Sequence, residues 1–254
     1  MNTPFTGLVA LAAASFLLSY FEATMGLMLG QLRLPLLVLW LGNPAVGAGT
    51  NLAVSAVGAL AGCANHARRG NIDLRLFVFL ALPSLASAYS VGRWLGSLSS
   101  IWPQLLIASV LIVSGLQLAL SRRMTQTTVR RPSRSRLALE VLTGAICGAL
   151  SGGVGLMMGT LRLASIVRMM GIEMRIAIGT NLAVGFVTAI AGSIGAWRSA
   201  GIDLPVLGVA GAATALGAWF GAGATNRIPP AFLNPMVGLT VFASGLLMLR
   251  QAVP

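Results

Sequence analysis

Hydrophobic residues in this chain run in blocks rather than alternating with polar ones. Uncharged apolar stretches cover 5–21, 46–65, 76–92, 101–120, 141–161, 176–197, 204–226 and 228–249. Their lengths are near the roughly 17–25 residues that carry a helix across a bilayer. Barrel strands would alternate over about ten positions, and these stretches do not. The pattern predicts an all-α integral membrane protein. It is interrupted once in each half by glycines (Gly26 and Gly30; Gly152, Gly153, Gly155 and Gly159), followed by a short apolar piece at 34–41 or 163–171. Irregular backbone at membrane depth survives only where protein or a watery cavity covers it. Each interruption therefore predicts a V-shaped, re-entrant segment that turns near the midplane and leaves on the side it entered.

The two interruptions belong to an internal repeat. Gly26-Leu-Met-Leu-Gly30-Gln31-Leu-Arg33-Leu is matched by Gly155-Leu-Met-Met-Gly159-Thr160-Leu-Arg162-Leu, and Gly49-Thr50-Asn51-Leu-Ala-Val54 returns unchanged at Gly179–Val184. The match continues through Ile72-Asp73-Leu74 and Ile202-Asp203-Leu204 to Ser114-Gly115-Leu116 and Ser244-Gly245-Leu246. Repetition at this scale predicts two structural units, residues 1–120 and 137–254, joined by a linker at 121–136. One re-entrant segment and three transmembrane helices per unit make the span count odd, so the second unit is expected to be inverted relative to the first.

Charge sharpens this picture. Only 9% of residues are charged against 56% hydrophobic, which excludes a soluble domain. All 17 basic residues are arginine and five residues are acidic, for a net charge of +12. The arginines cluster at span ends, where they orient the chain, so no nucleic-acid partner is expected. Six lie in the linker, which is expected on the cytoplasmic side, and contact with anionic lipid is open there as a secondary role. Inversion places Arg68, Arg69, Arg75, the linker arginines, Arg168, Arg175 and Arg227 on that side and Arg93, Arg198 and Arg250 on the other.

Arg33 and Arg162 fall inside apolar sequence. A charge in the bilayer interior costs about 2.5–3.5 kcal/mol on insertion scales, so such an arginine is normally paired or faces a cavity. Two guanidinium groups converging would suit an oxyanion through parallel hydrogen bonds; the competing reading is snorkelling or a packing contact. Thr50, Asn51, Thr180 and Asn181 lie in the opening turns of the helices that follow, the first of them capped by Asn43 before Pro44. They form either a neutral anion cradle with Gln31 and Thr160 nearby, or interhelical glue. Glu22, whose repeat counterpart is Ser151, is open to three roles: neutralising an arginine, carrying a coupling proton, or sitting at a wetted turn. Asp73 and Asp203 read as helix caps or partners of nearby arginines. Cys63, Cys147 and the single His66 support no disulfide, metal site, cofactor or catalytic pair.

The broken first segment, the short apolar leg, the Gly-Thr-Asn motif and the Ile-Asp before another span, each present twice, resemble the TauE/SafE sulfite exporter family over nearly the whole chain. Ala164 departs from the family-like Pro35 of the first copy, and Glu22-Ala23-Thr24 stands where the second copy has Ser151-Gly152-Gly153. The resemblance implies a multi-pass inner-membrane transporter, not an enzyme, that exports sulfite, sulfoacetate or a related organosulfur anion by alternating access. A membrane potential negative inside favours loss of an anion by about 2.3 kcal/mol per charge per 100 mV. A gated anion channel and a transporter of a non-sulfur organic anion are the alternatives. Oligomeric state is not legible.

Overall fold

The computed structural model describes residues 5–25, 30–98, 101–119, 134–223 and 230–252. The Gly26–Leu29 portion of the first repeated motif, residues 121–133 of the linker and Arg227 lie outside them. Helices α1 (Phe5–Met25), α2 (Gly30–Leu41), α3 (Pro44–Arg68), α4 (Leu74–Gly96) and α5 (Ile101–Ala119) form the first half. The second half repeats the order with α6 (Arg134–Val154), α7 (Gly159–Ala164) running into a π-helical turn (Ser165–Met169), α8 (Met174–Ser199), α9 (Leu204–Gly223) and α10 (Pro230–Ala252). No strand occurs among the described residues. Among the described residues five helices, over Pro44–Arg68, Leu74–Trp94, Arg136–Val154, Arg175–Ser199 and Leu204–Gly221, are long and apolar enough to cross a membrane. Large apolar side chains such as Leu82, Leu142, Ile146, Leu216 and Trp219 stay exposed, as a lipid-facing surface requires.

Packing crosses between the halves. Leu80, Ser84 and Ala88 of α4 meet Gly144, Gly148 and Gly152 of α6 in order, so these helices run the same way. Phe16 and Tyr20 of α1 meet Gly217 and Gly221 of α9, again in order. Val54 packs with Val206 and Ala210, and Gly58 faces Thr214, which makes α3 parallel to α9. Ser84 bonds Thr188 at 2.9 Å and Tyr89 lies by Gly195, so α4 is parallel to α8. The central pair differs: Gly49 faces Ala196, Leu52 faces Gly192 and Gly62 faces Leu182, so α3 and α8 are antiparallel. α5 and α10 are antiparallel too, with Gly115 against Phe242 and Gln104 Nε2 donating to the Met248 carbonyl at 3.2 Å. Consequently α1, α3 and α9 point one way and α4, α6 and α8 the other.

Each broken region consists of a long leg and a short returning one. Helix α6 continues through Gly152, which packs against Ala88, and ends only at Gly155, whose φ of 76° favours glycine. With Ala88 opposite Gly152, α6 stops about 9 Å short of the far end of α4. The turn thus lies beyond the middle of α4, deeper than the sequence predicts, because Gly152 and Gly153 serve the helix rather than break it. The short legs close at Gly42 and Gly171, both with positive φ. Their interruptions differ. Pro35 sits inside α2, and at the equivalent place after Ala164 the ladder opens into the π-helical turn.

One buried charge was not anticipated. Glu140 is fully buried, takes a 3.0 Å bond from Arg136 Nε one turn earlier and lies 3.8 Å from Arg75. Arg134 and Arg136, expected in the linker, already belong to α6.

A Cβ on Gly152 would overlap the Ala88 carbonyl, whereas one on Gly208 meets nothing within 4 Å. Gly152→Val is expected to cost about 1–3 kcal/mol or more through overpacking and to erode the monodisperse peak in size-exclusion chromatography. Gly208→Ala should elute and melt like the parent.

Candidate functional site

The short leg α2 carries Arg33 into the protein interior, where its side chain is 1% exposed. Nε donates to Asn51 Oδ1 at 2.8 Å, Nη1 to Thr214 Oγ1 at 3.1 Å and Nη2 to Ser55 Oγ at 2.7 Å. In the other half α7 buries Arg162 completely. Its Nε donates to Asn181 Oδ1 at 2.7 Å and its Nη2 to the Asn181 carbonyl at 3.1 Å, while Nη1 has no partner among the described residues. Gly185 stands where the first half has Ser55, and its missing Cβ leaves room for Arg162 Nη2. Neither arginine contacts a carboxylate within 4 Å among the described residues.

The asparagines work in both directions. While its oxygen holds Arg33, Asn51 Nδ2 donates to the Gly155 carbonyl at 2.8 Å and to the Gly30 carbonyl at 3.4 Å. Asn181 Nδ2 donates to the Gly159 carbonyl at 3.0 Å. The Gly155 carbonyl, just past the end of α6, is an acceptor that no helix continues to satisfy, and the amide that answers it also seats Arg33. The threonines connect the halves instead: Thr50 Oγ1 accepts from the Asp203 amide at 3.1 Å, and Thr180 Oγ1 from the Asp73 amide at 3.0 Å. Asp73 and Asp203 then cap α4 and α9 by accepting from Leu76 and Val206. Asn43 caps α3 by accepting from the amides of Ala45 and Val46. The amide donors of Asn51 and Asn181 are therefore engaged within the protein, and the hydroxyl oxygens of Thr50 and Thr180 serve it as acceptors.

Gln31 is buried, and its Oε1 has no partner among the described residues. It lines a small cavity together with Glu22, Gly30, Ser55, Leu156 and Met157, at the junction of the two broken regions. Thr160, its counterpart, is half-buried on α7. Arg33 Nη2 is at the level of Ser55 on α3, and Arg162 Nη2 at that of Gly185 on α8. With α3 and α8 antiparallel, these levels lie on either side of the pair's midpoint, roughly 7 Å apart along the axis. Sequence reasoning missed Ser55 and Thr214. Ser55 lies one helical turn beyond Asn51 and could have been found by that spacing; Thr214 comes from the opposite half and left no local signal.

Buried guanidinium groups, seated where helices inside a lipid-facing bundle are broken, define a membrane protein that handles solutes within the bilayer. The profile of the family described as Sulfite exporter TauE/SafE matches residues 11–248, and the chain belongs to that family. It is similar to the Probable membrane transporter protein YdhB of Bacillus subtilis (strain 168), 27% identical over 208 residues that make up 79% of this chain and 83% of that protein. The chain is a multi-pass membrane transporter. No solved structure matches it.

Removing either asparagine side chain takes the Nε acceptor from a buried guanidinium. Asn51→Leu and Asn181→Leu should each lower stability in detergent by about 1.5–3 kcal/mol, the worth of one hydrogen bond to a charged group. Asn51→Asp keeps the acceptor and should do less damage. Melting temperatures for both leucine variants equal to the parent's would show that the arginines do not depend on these clamps.

Proposed function

We propose that the protein exports a small sulfur-containing oxyanion, such as sulfite, sulfoacetate or a related organosulfur anion, across the cell inner membrane by alternating access. Arg33 and Arg162 bind it between the broken segments of two inverted repeats. The observation that carries this reading is the duplicated clamp: two buried arginines with no carboxylate within 4 Å among the described residues, held from opposite ends about the midpoint of α3 and α8. Guanidinium suits the planar, multi-oxygen face of such an anion, because it offers paired donors in a fixed fork. Asn51 and Asn181 act as positioning residues that aim the forks, and Thr50 and Thr180 tie each half to its partner. Gln31 and Thr160, at equivalent positions beside them, complete the polar lining.

Helix direction supports the inverted repeat. Every pair of counterparts, α1 with α6, α3 with α8, α4 with α9 and α5 with α10, runs in opposite senses. On this arrangement the arginines other than Arg33 and Arg162 divide twelve to three by their position in the sequence, the larger group with the linker on the cytoplasmic side. The exposed Trp94, Trp102 and Trp197 then form an interfacial belt beside Arg93 and Arg198 on the external side.

Charge-assisted hydrogen bonds contribute about 1.5–3 kcal/mol each, so Arg33→Gln and Arg162→Gln should each weaken anion binding roughly tenfold to a hundredfold. The double change should abolish it, and lysine should rescue only partly. Thermal stabilisation of the purified protein by sulfite, thiosulfate, sulfoacetate and taurine measures this. Parent-like binding by both single variants would assign the arginines to structure alone.

Orientation is tested separately by single cysteines at positions 2 and 254. Both should react with an impermeant reagent added outside the cell. Protection of both would overturn the inverted scheme.

A further inference from the structure

Glu22 lies in the last turn of α1, where the chain of the first half breaks, and it borders the cavity shared with Gln31 and Ser55. That cavity holds about one water molecule. Among the described residues Glu22 makes no ion pair within 4 Å; the ion pairs there belong to Glu140. Arg33 is near enough for its charge to act on Glu22, yet each of its nitrogens is already bonded to Asn51, Thr214 or Ser55. Gln31 Oε1, which lines the same cavity, is a buried acceptor without a donor among the described residues. An ionised carboxylate cannot supply that donor, whereas a protonated carboxyl can. With the carboxylate ionised, the amide can instead turn its NH2 towards the cavity, so the two protonation states of Glu22 call for opposite orientations of Gln31.

We propose that Glu22 is the coupling acid of the transporter, taking up one proton when the anion binds so that proton and anion cross together. The inference rests on Arg33 and Arg162 being the anion site. A bound oxyanion claims the positive charge that otherwise compensates Glu22, and two negative charges in a low-dielectric interior are costly together. The carboxylate then becomes a carboxyl with a proton delivered through the water-sized cavity, and no other bond changes. The surroundings offer no rival group: Arg33 is the charged residue on α2, α9 carries no ionisable side chain, α3 presents Ser55, and the turn after α6 presents Leu156 and Met157. Tyr20 is the nearest ionisable neighbour on α1 itself. In the second half the equivalents of Glu22, Gln31 and Ser55 are Ser151, Thr160 and Gly185, and Ser151 Oγ already accepts from the Met158 amide at 3.2 Å. One proton site per molecule follows.

Calorimetric titration of the purified full-length protein with methanesulfonate tests this, because that anion does not itself titrate near neutrality. Binding heats in phosphate and in Tris should differ by about one proton's worth of buffer ionisation, and affinity should fall about tenfold per pH unit where Glu22 is ionised. Glu22→Gln should bind with neither dependence. Parent binding without proton uptake, or uptake that persists in Glu22→Gln, overturns the inference while leaving the anion site standing. Should Glu22→Gln fail to fold, Glu22→Asp replaces it: a displaced pH midpoint supports the assignment and an unmoved one overturns it. No binding of methanesulfonate, sulfite or sulfoacetate at any pH would overturn the anion site and this inference together.

Discussion

The structure depends on the bond between a buried arginine and an asparagine on the neighbouring long helix. A guanidinium inside a lipid-facing bundle and a carbonyl freed by a broken helix are each unfavourable alone. The Asn51 amide answers both, its oxygen accepting from Arg33 and its nitrogen donating to the Gly155 carbonyl past the end of α6, and the Asn181 amide ties Arg162 in the same way to the first residue of α7, Gly159. Break and charge therefore stabilise each other. Asn51 reaches further, to the turn of the opposite half at Gly155, so the first clamp also fixes where the second broken segment sits.

The same logic explains why the Gly-Thr-Asn triplet is a unit. Gly49 and Gly179 let the opposite half's loop approach, at Gly201 and Ile202 or at Asn71. Thr50 and Thr180 accept from Asp203 and Asp73 in those loops. Asn51 and Asn181 turn inward to the arginines. Three consecutive residues thus join a loop contact, a cross-half hydrogen bond and a charge clamp within one helical turn. A motion that separates the halves at one triplet would loosen one arginine while the other stayed seated, which is the mechanical condition alternating access needs.

Much of this was legible in the sequence. Apolar blocks gave the helices, and the repeated motifs located both arginines and both triplets, because a repeat doubles every short signal. What the triplets do was not legible: hydroxyl, amide and helix N-terminus read equally as a solute cradle or as glue, and only the positions of Asp73, Asp203, Gly30 and Gly159 show where the donors and acceptors go. The depth of the turn was misjudged because Gly152 and Gly153 look like breakers, although close approach of α4 explains Gly152. Thr214 and Glu140 escaped notice for different reasons. One is supplied across the repeat boundary; the other sits at the edge of a basic linker, where Arg136 one turn earlier is visible in the sequence but the burial of the carboxylate and the approach of Arg75 from α4 are not.

The two halves match in backbone plan but not in charge. The first surrounds its arginine with Ser55, Thr214, Gln31 and an acid at Glu22; the second has Gly185, Thr160 and Ser151, and leaves Arg162 Nη1 without a partner among the described residues. On the proposed function this division separates the tasks: Arg162 keeps a donor free for the anion, and Glu22 beside Arg33 adjusts the charge. A monoanion accompanied by one proton crosses as a neutral load, so the roughly 2.3 kcal/mol per charge per 100 mV that an inside-negative potential would add to export is forgone. Flux then follows the concentration gradients of anion and proton instead. Direction becomes a property of those gradients, and a protein with this site would move its anion outward whenever the cytoplasmic concentration is high enough to outweigh an inward proton gradient.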